Sequence, residues 1–262
     1  YYMDWATRRK TTIIGVFTII VVVIISIFVY NNFLKNEATC FDKKQNQNER
    51  GIDCGGVCSL MCVADIKPIL PLWVRPIKIV GDVYSVVAYI ENQNQGSGVE
   101  SVSYEIRLYD DKNLLATNPI VGTTFLEPND RTAIFETGIK VNERIPKTAF
   151  ITFSQPLVFT KVSEKYDRQN LIVENDLFED LNTTPKLSAN IRNTTFSTFY
   201  NIPVVVIIYD INGNAIATSQ TIIDQIGSEE TVPIYFTWPE PLSGVPVRRE
   251  IIPRINPFIQ PS

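Results

Sequence analysis

Hydrophobic and polar residues follow two different rhythms along the chain. From residue 11 to residue 34, TTIIGVFTIIVVVIISIFVYNNFL, no formal charge occurs, and Ile13 to Tyr30 is interrupted only by Gly15, Thr18 and Ser26. Strands rarely exceed about 10 residues, so the length of this run predicts a helix. At about 1.5 Å per residue it matches the roughly 30 Å hydrocarbon core of a bilayer. After Cys62 the rhythm shortens to alternating runs bounded by Asn, Asp, Gly and Pro, the pattern of antiparallel strands in a sandwich or barrel. Predicted strands cover 72–80, 83–91, 102–110, 113–117, 120–126, 131–138 and 147–153, then 186–192, 202–210, 215–224, 230–238 and 246–252. No segment after residue 35 sustains a 3.6-residue period.

The two series repeat each other. Asn92, Tyr109-Asp110 and Phe135 in the first return as Asn193, Tyr209-Asp210 and Phe236 in the second, an interval of about 100 residues that fits an Ig-like sandwich. YDDKNLLAT at 109–117 is likewise followed by YDINGNAIAT at 209–218. Tyr109 and Tyr209 are expected to put a ring in the core and a hydroxyl at its rim, Trp73 and Trp238 to fill gaps between sheets, and Asp110 and Asp210 to open turns. Exposed rings that stack on sugars are the alternative. The charged stretch 154–185 reads as a linker with a boundary near residue 165, and Pro253, Pro257 and Pro261 leave the C-terminus an edge strand or an extended tail. Asn182-Thr183-Thr184 and Asn193-Thr194-Thr195 match the N-glycosylation pattern, which matters only in a cell with that machinery.

Arg8, Arg9 and Lys10 flank the apolar run against one acid, Asp4. The positive-inside rule therefore keeps the short N-terminus cytoplasmic and exports everything after Lys35. A cleaved signal peptide is the competing expectation, but its apolar region usually spans about 7–15 residues and ends in small residues, whereas Asn31, Asn32 and Phe33 follow here. Residues 11–34 thus read as a retained signal anchor whose partner is the lipid bilayer. The chain opens on Tyr1, ahead of a candidate start at Met3, so it begins upstream of that start or is a fragment.

All four cysteines, Cys40, Cys54, Cys58 and Cys62, lie just beyond this segment. An even count in an oxidising compartment predicts two disulfides in one of three connectivities. Zinc is the weaker expectation, because zinc sites favour CxxC pairs that are absent here. Between the cysteines, Asp42, Asn46, Glu49 and Asp53 offer hard oxygen ligands near Gly51, Gly55 and Gly56, so a calcium ion is one reading and Asx-type turn capping is the other.

The string Cys40-x-Asp42-x3-Asn46-x2-Glu49-x-Gly51-x-Asp53-Cys54-Gly55-Gly56-x-Cys58-x3-Cys62 resembles a cysteine motif of bacterial surface proteins, notably of candidate-phyla lineages. In that family the motif follows one N-terminal transmembrane helix and precedes β-sandwich domains similar to the FxLYD type. The resemblance implies the same architecture and location here, and no particular activity. Lys43 and Gln47 stand where glycines often accompany the motif's Asp and Asn.

Composition narrows the chemistry. With 24 Lys and Arg against 28 Asp and Glu, the net charge is −4, which supplies no basic field for nucleic acid. Histidine is absent, and with it go His-based triads and His-ligated metals. No GxxxxGK[ST], GxGxxG or GxSxG motif occurs. The expected organisation is a mostly β protein with a cytoplasmic N-terminus (1–10), a transmembrane helix (11–34), a Cys-rich knot (35–64) and two tandem Ig-like antiparallel sandwiches (65–165 and 166–262). Its expected role is a non-catalytic extracytoplasmic protein whose sandwiches contact protein or envelope polymer partners, with cell-wall carbohydrate binding the alternative and an envelope enzyme third.

Overall fold

The computed structural model describes residues 4–30, 39–46, 48–141, 143–162 and 170–259. The chain divides into two compact units, residues 1–57 and 58–262. In the first, helix α1 (Trp5–Val29) begins where the Asp4 carbonyl accepts the amides of Thr7 and Arg8. The helix starts six residues ahead of the apolar run, so Arg8, Arg9 and Lys10 are helical rather than flanking. Thr7–Val29 is long and apolar enough to cross a membrane. The hydroxyls of Thr11, Thr12 and Thr18 donate to carbonyls four residues earlier, which satisfies polar groups that lipid cannot. Residues 31–34 of the expected span lie outside the described residues.

The second unit is built of antiparallel strands. β1 (Leu70–Val80), β2 (Val83–Asn92) and β5 (Asp130–Lys140) form one sheet in the order β1-β2-β5. A second sheet runs β4-β3-β6, from β3 (Ser97–Tyr109), β4 (Ile120–Leu126) and β6 (Thr148–Phe153), with the short β7 (Thr160–Lys161) added to β3. The pattern then returns: β8 (Leu171–Glu179), β9 (Lys186–Asn193) and β12 (Thr231–Thr237) pair in the order β12-β9-β8, and β10 (Phe199–Tyr209), β11 (Ala215–Ile226) and β13 (Arg248–Pro253) in the order β11-β10-β13. Val86, Ala88 and Ile90 meet Ile106 and Leu108 in the core of the first sandwich, and Leu187, Ala189 and Ile191 meet Val204, Val206 and Ile208 in that of the second.

A third core joins the sandwiches. Val87, Tyr89 and Ala133 of the β1-β2-β5 sheet are buried with Val205, Ile207, Tyr209 and Ile252 of the β11-β10-β13 sheet. The central strands β2 and β10 are therefore covered on both faces. That is why VVAYI at 86–90 and VVVIIY at 204–209 are continuous apolar runs, whereas β9, with a single buried face, alternates strictly. Arg254, immediately after β13, reaches the first sandwich: its Nε lies 2.7 Å from Glu127 Oε1 and its Nη2 3.0 Å from Glu127 Oε2 and 2.7 Å from the Phe125 carbonyl. Both side chains of this pair are buried. Further along, Phe258 lies against Gly98, where an added Cβ would also sit 2.3 Å from the Leu126 carbonyl oxygen. The C-terminal segment is thus an edge strand followed by a strap.

Several expectations need correction. Residues 113–117 form no strand but one isolated bridge, Tyr109 with Leu115, because the Asp110 carboxylate accepts the amides of Lys112 and Leu114 and folds the chain into a turn. Stretch 154–185 is not simply a linker, since it contains β7 and β8. A shift in register between Glu174 and Leu177, with Asn175 at positive φ, breaks the alternation that would have revealed β8. The boundary near residue 165 falls outside the described residues. Phe135 and Phe236 are not equivalent: Ala88 pairs with Ile134 and Ala189 with Ile234, so Phe135 faces the junction while Phe236 is in the second core.

Asn92 and Asn193, by contrast, play one part twice. Each is buried; Asn92 donates both amide hydrogens to the carbonyls of Ser97 and Glu127, and Asn193 to those of Ser197 and Gly227. The Asn193 sequon is consequently closed to modification in the folded protein. Arg254→Ala would leave the Glu127 carboxylate buried without its countercharge, and a loss of about 3–5 kcal/mol is expected in denaturant unfolding, part of which the apolar pair Glu127→Leu with Arg254→Met restores.

Candidate functional site

Three places combine chemistry with a defined geometry. The first is the cysteine segment. All four cysteines are disulfide-bonded, which leaves no thiolate for zinc. Within residues 40–57, the Asp53 carboxylate accepts the amides of Asp42 and Lys43, Glu49 Oε2 accepts those of Asn46 and Asp53, and Asp42 accepts the Lys44 amide and the Asn46 side chain. Asp42, Asn46, Glu49 and Asp53 are therefore brought together, with the carboxylates of Asp42, Glu49 and Asp53 accepting loop amides and the Asn46 side chain donating to Asp42. Lys43, Asn48, Asp53, Gly55 and Gly56 all have positive φ. A Cβ on Gly56 would lie 2.0 Å from the Asn48 carbonyl oxygen, so no other residue fits there. Asn46 Oδ1 is buried without a hydrogen bond, the one oxygen of the four candidates in that condition among the described residues.

The second place is the junction. Trp73 stacks on Tyr89 at 5.3 Å and meets Tyr209 edge-on at 6.4 Å. Tyr89 and Tyr209 both donate to Glu250, at 2.6 and 3.2 Å, and the Arg248 guanidinium lies 3.8 Å above the Tyr209 ring. Burial, followed by the Glu250 charge, pushes the Tyr209 hydroxyl up to about 12, so it stays protonated as a donor. At the rim, a cleft of about 480 Å³ is lined in part by Glu91, Asp130 and Glu250. Hydrogen bonds from Arg131 and then Gln93 hold Glu91 below the usual carboxylate range, the opposite of what a general acid needs.

The third place is the outward face of β3 and β6. Tyr109 is not in the core as expected. Its parity along β3 is that of Arg107, pointing away from Ile106 and Leu108, and it meets the exposed Phe150 edge-on at 5.9 Å. Tyr209 has the same parity but is covered by the first sandwich. Trp238 does fill a gap as predicted, stacked on Phe178 and donating to the Thr218 carbonyl, whereas Trp73 serves the junction. Glu127, Arg254, Glu250 and Phe150 carry no local motif, and only the folded register brings them to their sites. No family model matches the chain, and no curated protein matches it.

Two measurements follow from these sites. Asp53→Ala strands the amides of Asp42 and Lys43, so the disulfides are expected to reduce faster, read by alkylation and mass spectrometry. Unchanged reduction would show that the carboxylate does not hold the loop, and a rate that rises with EDTA in the unaltered protein would assign calcium to it. The amide of Asn214 keeps Asp210 below its ordinary 3.8. Its contribution to stability is complete above that value and is lost as pH falls through the lower folded one. Asp210→Asn should accordingly flatten the fall in melting temperature below about pH 4.

Proposed function

We propose that this chain is a membrane-anchored, non-catalytic protein, with its N-terminus in the cytoplasm and its paired sandwiches displayed outside for contact with protein or envelope partners. The observation that carries this reading is the sequence of parts: an exposed apolar helix, then oxidised cysteines, then two sandwiches fastened by a third core and by Arg254. Disulfides belong to an exported compartment, and the basic residues Arg8, Arg9 and Lys10 at the N-terminal end of α1 favour that compartment on its C-terminal side. A fastened pair suits display, because a partner meets one preorganised surface instead of two independent domains.

The absence of histidine and the ionised state of Glu91 support a binding role over an enzymatic one. The cysteine motif's resemblance to bacterial surface proteins points the same way. In intact cells, added protease is expected to remove peptides from 170–259 while α1 stays in the membrane fraction. Protection of those peptides, or release of the undigested sandwiches into the medium, would overturn the reading.

A further inference from the structure

The two sandwiches repeat the same strand order, so corresponding faces can be compared. On the β11-β10-β13 sheet, the outward positions Val205, Ile207, Tyr209 and Ile252 are apolar or aromatic and are sealed by the first sandwich. On the β4-β3-β6 sheet the corresponding positions are Glu105, Arg107, Tyr109 and Thr152, with Phe150 in place of Glu250. This second face is unsuited to cover by another sandwich, which would bury the Glu105–Arg107 ion pair. It nevertheless presents two rings: Phe150 is 62% exposed and touches Tyr109 edge-on.

These groups line a pocket of about 200 Å³, bounded by Glu105, Arg107, Tyr109, Asn113, Phe150 and Thr152. That is below the roughly 300–1,000 Å³ of sites for drug-sized ligands and suits one small ring. Arg107 and Phe150 are register partners, as are Glu105 and Thr152, so the site stands on paired strands. Asn113 is held at φ 59 by the turn that Asp110 organises. One oxygen of Glu105 is buried with no hydrogen bond and is ion-paired with Arg107 Nε. The opposite charges of Glu105 and Arg107 cancel, so the pocket selects neither anions nor cations. An apolar ring face flanked by carboxylate, guanidinium and amide matches a molecule with a C–H face and a hydroxyl edge.

We propose that the outward face of β3 and β6 binds single uncharged pyranose rings of a polysaccharide, with Phe150 and Tyr109 against the C–H face and Glu105, Arg107 and Asn113 hydrogen-bonded to hydroxyls. The biological source of the sugar rests on the display reading above; the binding itself does not. The full chain in lipid nanodiscs would be tested on an array of neutral glucose-, galactose-, mannose- and N-acetylglucosamine-containing oligosaccharides, with hits titrated. Saturable binding is expected, weakened at least tenfold by Phe150→Ala and by Arg107→Ala. Phe196→Ala, which removes an exposed ring from the second sandwich, should leave it unchanged, and all three variants should melt like the parent. Absence of binding to every oligosaccharide, or binding indifferent to Phe150→Ala, would overturn the proposal. So would a protein partner lost with Phe150→Ala while no sugar binds. Protease-accessible sandwiches that bind no sugar would defeat this inference alone, and sugar binding by protected sandwiches would defeat the display reading alone.

Discussion

The apolar contact between the β1-β2-β5 and β11-β10-β13 sheets governs the rest of the second unit. Each of these sheets has apolar residues on both faces, so neither sandwich alone can keep its outer face out of water. Burying Val87, Val205 and Ile207 at the junction resolves that problem for both at once. Polar groups at the junction pair with one another, Tyr89 and Tyr209 on Glu250 and Arg254 on Glu127, and the exposed Arg75 bonds Asn214 at its edge. The two outermost sheets carry the complementary pattern, with β3 and β9 alternating polar and buried positions. Solvent-facing outer sheets close the stack at two sandwiches, much as terminal repeats cap an array.

Much of this was legible in the sequence because strand periodicity and turn chemistry are local. The strands from 83, 120, 131, 186 and 215 begin at or within one residue of their expected positions, and the Asp110 and Asp210 turns form with the hydrogen bonds their residue types favour. The apolar runs of β2 and β10 already contained the mark of double burial, since a strand with one wet face would alternate. β8 was hidden because its bulge at Asn175 breaks the period. Phe135 and Phe236 misled because the loops between strands differ by one residue, and a one-residue slip exchanges the faces of a strand.

The candidate sites were less visible for a related reason. In the cysteine segment, ligand-type residues lie close in sequence, so Asp42, Asn46, Glu49 and Asp53 could be identified, but residue type does not distinguish an oxygen that binds a cation from one that accepts an amide. At the junction and on the β3–β6 face, the partners come from distant strands. Arg254 and Glu127 are an unremarkable base and acid until β13 is laid beside β10, and Phe150 is an ordinary strand aromatic until β6 pairs with β3.

The strap has a consequence for biogenesis. Glu127 belongs to the first sandwich, yet its countercharge follows the last strand of the second, 127 residues further along the chain. During synthesis the first sandwich therefore waits, with an acidic group its interior cannot accommodate, until the second has been made. Folding of the unit becomes a check on the integrity of the chain: a product cut short before Arg254 retains every strand of the first sandwich and still lacks the ion that completes it.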